Sequence, residues 1–255
     1  MHILLSNDDG IQAPGLAALY RAVADMGTIS VVAPDSPQSA AGHSITLKHP
    51  LAVRRVRLEG VAAQACSVSG RPADCVRLAI RKLLEERPDI VLSGINAGTN
   101  VGINVLYSGT VAAAAEGAML GIPSVAFSAA LDGGVDYDHV GRLCRRVLQR
   151  LLEGPMRVGD LINVNVPSLA GGEPLGVKVV KQSTAGLTDS YIRHGDDPDA
   201  EAYRLSDEYE HIHQERTDVS ALLEGHITVT PLHVDMTNHQ RLAELQNLRW
   251  TDAQR

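Results

Sequence analysis

Two adjacent carboxylates, Asp8 and Asp9, follow the apolar run Ile3-Leu4-Leu5 with only Ser6 and Asn7 between, and Gly10 comes next. Where a chain leaves a sheet, neighbouring carboxylates repel each other and lose solvation, a cost that a bound cation removes. Taken alone, the pair reads more readily as the start of a turn that caps a helix after Pro14. Two further apolar runs end in similar chemistry: Val31-Val32-Ala33-Pro34-Asp35 leads to Ser36-Pro37-Gln38-Ser39, and Val91-Leu92-Ser93-Gly94-Ile95 leads to Asn96-Ala97-Gly98. If the three runs are parallel strands, their loops open on one edge, where open α/β sheets bind ligands. Asp8, Asp9, Ser39 and Asn96 then offer only oxygen donors, a set that suits a hard divalent cation, Mg²⁺ or Mn²⁺, with waters completing the shell. Singly, Ser39 and Asn96 read as turn and capping residues; their joint placement argues for a site.

A fourth loop, Tyr107-Ser108-Gly109-Thr110, lies directly before the small-residue run Val111 to Leu120. A helix N-terminus there presents unpaired N–H groups and a partial positive charge, and Gly109 lets the backbone approach an anion. Ser108 and Thr110 add hydroxyls. A plain Thr cap is the simpler alternative, and Gly117 inside the Ala-rich run points to tight packing on a sheet.

Elements that could position these loops are legible over the first 165 residues. Short runs rich in Ile and Val (Ile3 to Leu5, Ile29 to Ala33, Ile90 to Leu92, Val125 to Phe127, Leu161 to Val166) alternate with longer amphipathic ones. That alternation predicts an α/β fold with a parallel sheet. Leu16, Leu19, Tyr20 and Val23 recur at helical spacing, as do Val76, Ile80, Leu83 and Leu84, and Val140, Leu143, Cys144, Val147, Leu148 and Leu151. The division expected is a core over 1–180 and a region over 181–255. The latter comprises a polar, acidic segment to about Val219, a strand-like run His226 to Pro231, and a helical pattern through Trp250. Such a segment is either a protruding hairpin or arm with a returning C-terminal element, packed against a second subunit, or a partly disordered surface loop.

Composition excludes several classes. The net charge of -7 is concentrated: Asp189 to Asp218 holds ten of the thirty acidic residues and three of the twenty-three basic ones. With no basic run, one Phe and one Trp, the chain lacks both the phosphate-neutralising surface and the stacking platforms of a nucleic-acid binder. Cys66, Cys75 and Cys144 are too few and too scattered for a zinc quartet or a disulfide framework. They fit a reducing cytoplasm, and MHILLSNDDG has no apolar stretch of signal-peptide length. No segment approaches bilayer-spanning length, so no membrane association is expected.

The longer motifs resemble a known family. Asn7-Asp8-Asp9-Gly10 with Ala13-Pro14-Gly15, the loop Ala33-Pro34-Asp35 to Ser39, Ser93-Gly94-Ile95-Asn96-Ala97-Gly98 and Tyr107-Ser108-Gly109-Thr110-Val111-Ala112-Ala113 are similar to the SurE survival-protein family of 5′/3′-nucleotidases. The similarity extends through Gly70 to Val76 and Thr228 to Asp235. The resemblance implies a Rossmann-like three-layer core and hydrolysis of nucleoside 5′- and 3′-monophosphates, with short polyphosphate as a further substrate. It also implies one divalent cation per subunit on Asp8, Asp9, Ser39 and Asn96, phosphate contacts from Ser108, Gly109 and Thr110, and homodimers or homotetramers built through the C-terminal region. Two positions depart from the family pattern: Ala40 stands where Gly is common, and Arg71 where Thr is usual. Neither is a metal ligand by motif; both bear on substrate preference.

The expected chemistry is attack on phosphorus by a metal-activated water, with Asp8, Asp9 and Asn96 as the catalytic set. Asn7 joins the Ser108 to Thr110 loop in holding the phosphoryl oxygens, and Asp8 or Asp9 is a candidate proton acceptor. A covalent phosphatase with an attacking aspartate would have Asp-x-Asp rather than adjacent carboxylates. A nucleotide-binding module without turnover is the second alternative, although Gly10 to Gly15 lacks the Lys and Ser or Thr of a phosphate loop. A structural role for the acidic arm is the third. His211 and His213 flank Ile212 as a possible metal-binding pair or as exposed polar residues, and His43 follows Ser39 closely; none is assigned to catalysis.

Overall fold

Ile3, Leu4 and Leu5 have no exposed surface, and Val91 and Leu92 are likewise fully covered. Apolar runs of this kind need cover on both faces, which a parallel sheet between two helix layers supplies. The computed structural model, which describes residues 1–130, 136–154, 156–194, 200–206 and 210–248, has that architecture. In chain order the elements are β1 (His2–Ser6), α1 (Pro14–Val23), β2 (Thr28–Pro34), β3 (Val53–Leu58), β4 (Val61–Val68), α2 (Pro72–Leu78), β5 (Ile90–Ala97), α3 (Gly109–Met119), β6 (Ser124–Ala129), α4 (Tyr137–Glu153) and β7 (Leu161–Val166). There follow β8 (Val177–Val179), β9 (Leu187–Thr188), β10 (Tyr191–His194), β11 (Ala202–Leu205), β12 (Glu210–His211), α5 (Asp218–Leu223), β13 (Ile227–Leu232) and α6 (His239–Gln246).

The main sheet runs β3-β4-β2-β1-β5-β6-β7-β13-β8. From β4 through β7 every pairing is parallel, while β3 and β13 run antiparallel to β4 and β7. The strand order reverses at β1, which pairs with β2 on one side and β5 on the other. A crevice therefore opens at the carboxyl ends of these strands. Alternate β1 side chains point to opposite layers: Ile3 and Leu5 join a core with Leu16, Leu19, Val140 and Leu143 of α1 and α4. Leu4 joins one with Cys75 and Val76 of α2 and Ala113 of α3.

The expected strands and helices occur with extended boundaries, and two features differ from the sequence reading. The helical stripe Val76, Ile80, Leu83 and Leu84 is only partly α-helical: after Leu78 the coil widens, and the Leu84 N–H donates to the Ala79 carbonyl (3.0 Å). Strands β3 and β4 had no apolar run to announce them. β3 carries Arg54, Arg55 and Arg57 and is largely exposed, as befits an edge strand protected by charge. At Gly117 the prediction of close packing is met, since a Cβ would lie 2.5 Å from Ser124 Oγ and 2.7 Å from Val91 Cγ2.

Beyond β8 the chain leaves the sheet as two short antiparallel pairs, β9 with β12 and β10 with β11. It returns at β13, between β7 and β8. Helix α6 follows with no buried residue. Trp250, the expected limit of the last helical pattern, lies outside the described residues. Among the described residues no helix is long and apolar enough to cross a membrane.

Candidate functional site

Strand β1 ends at Ser6, and the next three residues form a tight loop held by the Asn7 amide, whose Nδ2 donates to the Gly10 carbonyl (2.9 Å). Gly10 adopts φ +95°, a left-handed conformation that suits glycine. The loop leaves Asp8 only 7% exposed. Thr110 Oγ1 donates to Asp8 Oδ1, and the Ala97 N–H donates to Asp9 Oδ2 (3.1 Å). The loops after β1, after β5 and before α3 thus meet at two carboxylates. The loop after β2 joins them through the Gln38 N–H, which donates to the Asp8 carbonyl (2.8 Å), and places Ser39 one residue further on.

Gly109 shows how close the fourth loop comes. A Cβ there would lie 2.7 Å from Asp8 Cβ and 2.9 Å from Asp8 Oδ2. Ser108 caps α3 by accepting the Val111 N–H (3.1 Å), an arrangement worth about 1 kcal/mol to a helix. The α3 N-terminus, with its partial positive charge, therefore abuts Asp8.

Electrostatically the pair is costly. Burial pushes the Asp8 carboxyl up to about 6, opposed by the Thr110 hydrogen bond and reinforced by Asp9. Burial also raises Asp9, against the bond from Ala97. Among the described residues no Lys, Arg or His forms an ion pair with either. Asn96 donates Nδ2 to the Gly98 carbonyl (2.8 Å), which orients its amide and leaves Oδ1 for another partner. Asp8 and Asp9 carry buried negative charge with no ion-pair partner among the described residues, next to the Asn96 amide; these donors are all oxygen, chemistry that suits a hard divalent cation. Among the described residues no three or more His, Cys, Asp or Glu come together in a group that could hold a metal ion.

Placement differs among the residues expected to act. Thr110 has no exposed surface and directs its hydroxyl to Asp8; Asn7 is also fully covered, with its amide on Gly10. Both side chains thus position the carboxylate loop in this structure. Ser39 is exposed. Its neighbour Ala40 adopts φ +52°, a left-handed conformation in which glycine would be strain-free. His43 lies off the site and donates or accepts at Glu116 (2.9 Å), a buried carboxylate on α3 that also meets Arg77 (2.7 Å). This pins the loop after Ser39 to α2 and α3.

A scan against protein families matches residues 3–189 to the family described as survival protein SurE. The chain belongs to the SurE family. A relative named 5′-nucleotidase SurE from Moorella thermoacetica is 42% identical over 254 residues, covering 98% of each chain. One of the same name from Desulfitobacterium hafniense is 43% identical over 252 residues and 96% of each. Among solved structures, the SurE protein from Aquifex aeolicus superposes with a TM-score of 0.83 at 37% identity, covering 96% of this chain and 98% of that one. The family's fold is thus the fold described above.

Two neighbours of the site escaped the sequence reading. Tyr137, the first residue of α4, packs where Gly15 meets the Ile95 carbonyl, and its phenol is pushed up by burial and then by the charge of Asp9. No short motif marks it, because a long segment separates it from every loop it joins. Arg71 was visible only as a departure from the family pattern; its guanidinium reaches Gln38, with Nη1 2.6 Å from Oε1.

Proposed function

We propose that the chain is a metal-dependent 5′-nucleotidase that hydrolyses nucleoside 5′- and 3′-monophosphates, and also short polyphosphate, at the crevice beyond β1 and β5. What carries this reading is the convergence of Asp8, Asp9, Asn96 and the α3 N-terminus, in a chain 42–43% identical to relatives that bear the name 5′-nucleotidase. Asp8, Asp9, Ser39 and Asn96 would hold one Mg²⁺ or Mn²⁺ per subunit. A cation bound there supplies Lewis acidity toward a phosphoryl oxygen and lowers the pKa of a water.

The chain's own residues do the rest. Thr110 and the Ala97 N–H each fix one carboxylate oxygen, so the remaining lone pairs of Asp8 and Asp9 are presented in a set geometry. The α3 N-terminus, brought close by Gly109, stabilises negative charge on the phosphoryl group. Ser108 and Thr110 shape that end, Asn7 braces the loop that carries the carboxylates, and whichever of Asp8 and Asp9 is less tightly engaged accepts the proton of the attacking water. Exposed α6 and the β10–β11 hairpin are surfaces for a second copy, consistent with a homodimer or homotetramer. Free thiols at Cys66, Cys75 and Cys144 suit the cytoplasm.

The test is phosphate release from a panel of 5′- and 3′-nucleoside monophosphates with Mg²⁺, with Mn²⁺ and after chelation. Release should require metal and fall at least about a hundred-fold in Asp9→Asn, because one charged ligand and one charge-stabilising group are lost together. Folded protein that releases phosphate from no nucleotide in either metal would overturn the activity.

A further inference from the structure

Arg71 occupies a position where its charge costs stability. It is the residue before Pro72 at the start of α2, where helices favour Ser, Thr, Asp or Asn and where a cation opposes the helix dipole. Its backbone is nevertheless fixed: the Arg71 N–H donates to Asp74 Oδ2 (2.9 Å), and the same buried carboxylate accepts the Thr46 N–H. The side chain is exposed, and among the described residues it forms no ion pair. Nearby arginines are committed elsewhere, Arg54 beside Asp35 (3.9 Å) and Arg77 on Glu116 (2.7 Å).

A chain of contacts leads from Arg71 and its neighbour Pro72 to the site. Its Nη1 donates to Gln38 Oε1 (2.6 Å), and the Gln38 N–H donates to the Asp8 carbonyl. Pro72 Cγ lies 3.1 Å from where a Gly109 Cβ would be, a point 2.9 Å from Asp8 Oδ2. The guanidinium therefore bridges the loop that carries Ser39 and the start of α2, where the next residue, Pro72, packs at the α3 N-terminus beside Asp8. One of its five N–H donors is used by Gln38.

Charge balance shows what the remaining donors could serve. A divalent cation neutralises Asp8 and Asp9 and no more, whereas a phosphate monoester arrives as a dianion. We propose that Arg71 is a substrate-binding residue whose guanidinium contacts the phosphate dianion at the rim of the crevice. The inference rests on the nucleotidase reading for its substrate and on the Arg71–Gln38–Asp8 chain of contacts for its place. An arginine suits the task because its planar fork engages two phosphate oxygens at once, which lysine cannot do.

The experiment compares wild type with Arg71→Gln, Arg71→Lys and Gln38→Ala. Inorganic phosphate binding is measured calorimetrically with Mg²⁺ present, and KM, kcat and inhibition by the product nucleoside are measured beside it. Loss of a charge-assisted contact predicts that Arg71→Gln weakens phosphate binding and raises KM by about ten-fold each, with kcat within about two-fold. Nucleoside inhibition should be unchanged and Arg71→Lys intermediate; Gln38→Ala, which keeps the charge but frees the guanidinium from its tether, should weaken phosphate binding by less than Arg71→Gln does. Unaltered phosphate binding in Arg71→Gln would overturn the proposal. So would equal losses for phosphate and nucleoside that Gln38→Ala reproduces, since the side chain would then only brace the loop. If wild type releases no phosphate from nucleotides yet binds inorganic phosphate through Arg71, the activity fails and the anion contact stands.

Discussion

The crevice and the C-terminal arm solve opposite problems. At the crevice, four loops are drawn together by short-range bonds to Asp8 and Asp9, so polar groups are covered at a cost that only a ligand removes. In the arm, Tyr191, Ile192, Tyr203 and Leu205 stand exposed on a two-stranded hairpin, and α6 buries nothing. An isolated hairpin of this kind is marginal by itself. One region stores unfavourable charge inside the fold; the other leaves apolar surface outside it. The proposed cation and phosphate would relieve the first, and the proposed second subunit the second.

The largest test of this contrast is Asp8→Asn in metal-free protein. Because the folded carboxyl titrates near 6 rather than 3.8, the native state binds a proton more tightly than the unfolded chain. Wild-type stability is then unpenalised below about pH 4 and falls as pH rises through about 6, by on the order of 3 kcal/mol in all. Asp8→Asn should remove that fall, so the metal-free variant melts above wild type at pH 8 and equal to it at pH 4. Stabilisation by Mg²⁺ or Mn²⁺ should vanish as well. A variant less stable than wild type at pH 8 would show that the site stores no such cost.

A smaller effect is expected at Thr110, whose hydroxyl is the strongest influence holding the Asp8 carboxyl down. Thr110→Val keeps the shape and loses the donor, so metal affinity measured by titration should drop about ten- to a hundred-fold, the usual cost of removing a group that orients a ligand. Without metal the variant should melt below wild type at pH 8, where the buried Asp8 carboxylate has lost its donor, and the gap should narrow at pH 4.

The smallest change at the site should come from the far region. Removing residues 233–255, which takes away α6 but leaves β13 in the sheet, should shift the assembly to smaller species by light scattering. Per-subunit phosphate release should stay within about two-fold, because surfaces remote from a rigid site couple weakly to it. A large loss of turnover with intact folding would show that α6 acts on the crevice.

Much of the crevice was legible because its residues act close to where the chain leaves a strand. Asp8, Asp9 and Asn96 sit at strand ends that apolar runs announce, and Gly109 marks a close approach whatever the fold around it. What sequence could not reveal was direction. Thr110 and Asn7 have side chains of the right chemistry for phosphate, yet the fold turns them toward Asp8 and Gly10. Tyr137 packs against the start of α1 and Arg71 bonds to Gln38 through tertiary contacts that leave no local periodicity. Likewise β3 was hidden because an edge strand needs no apolar run; Arg54, Arg55 and Arg57 suit an exposed edge better than they suit any pattern. The arm's polar composition was plain, but its pairings depend on turns with no strong signature.

The insertion of β13 between β7 and β8 separates the order of synthesis from the order of assembly. A ribosome delivers β8 while β13, its one sheet neighbour among the described residues, is still unmade. The residues that form the crevice emerge early, yet the flank of their sheet stays open until translation is nearly finished. During that interval β7 presents an unpaired edge, which makes the nascent chain most vulnerable to mispairing at a strand far from its chemistry.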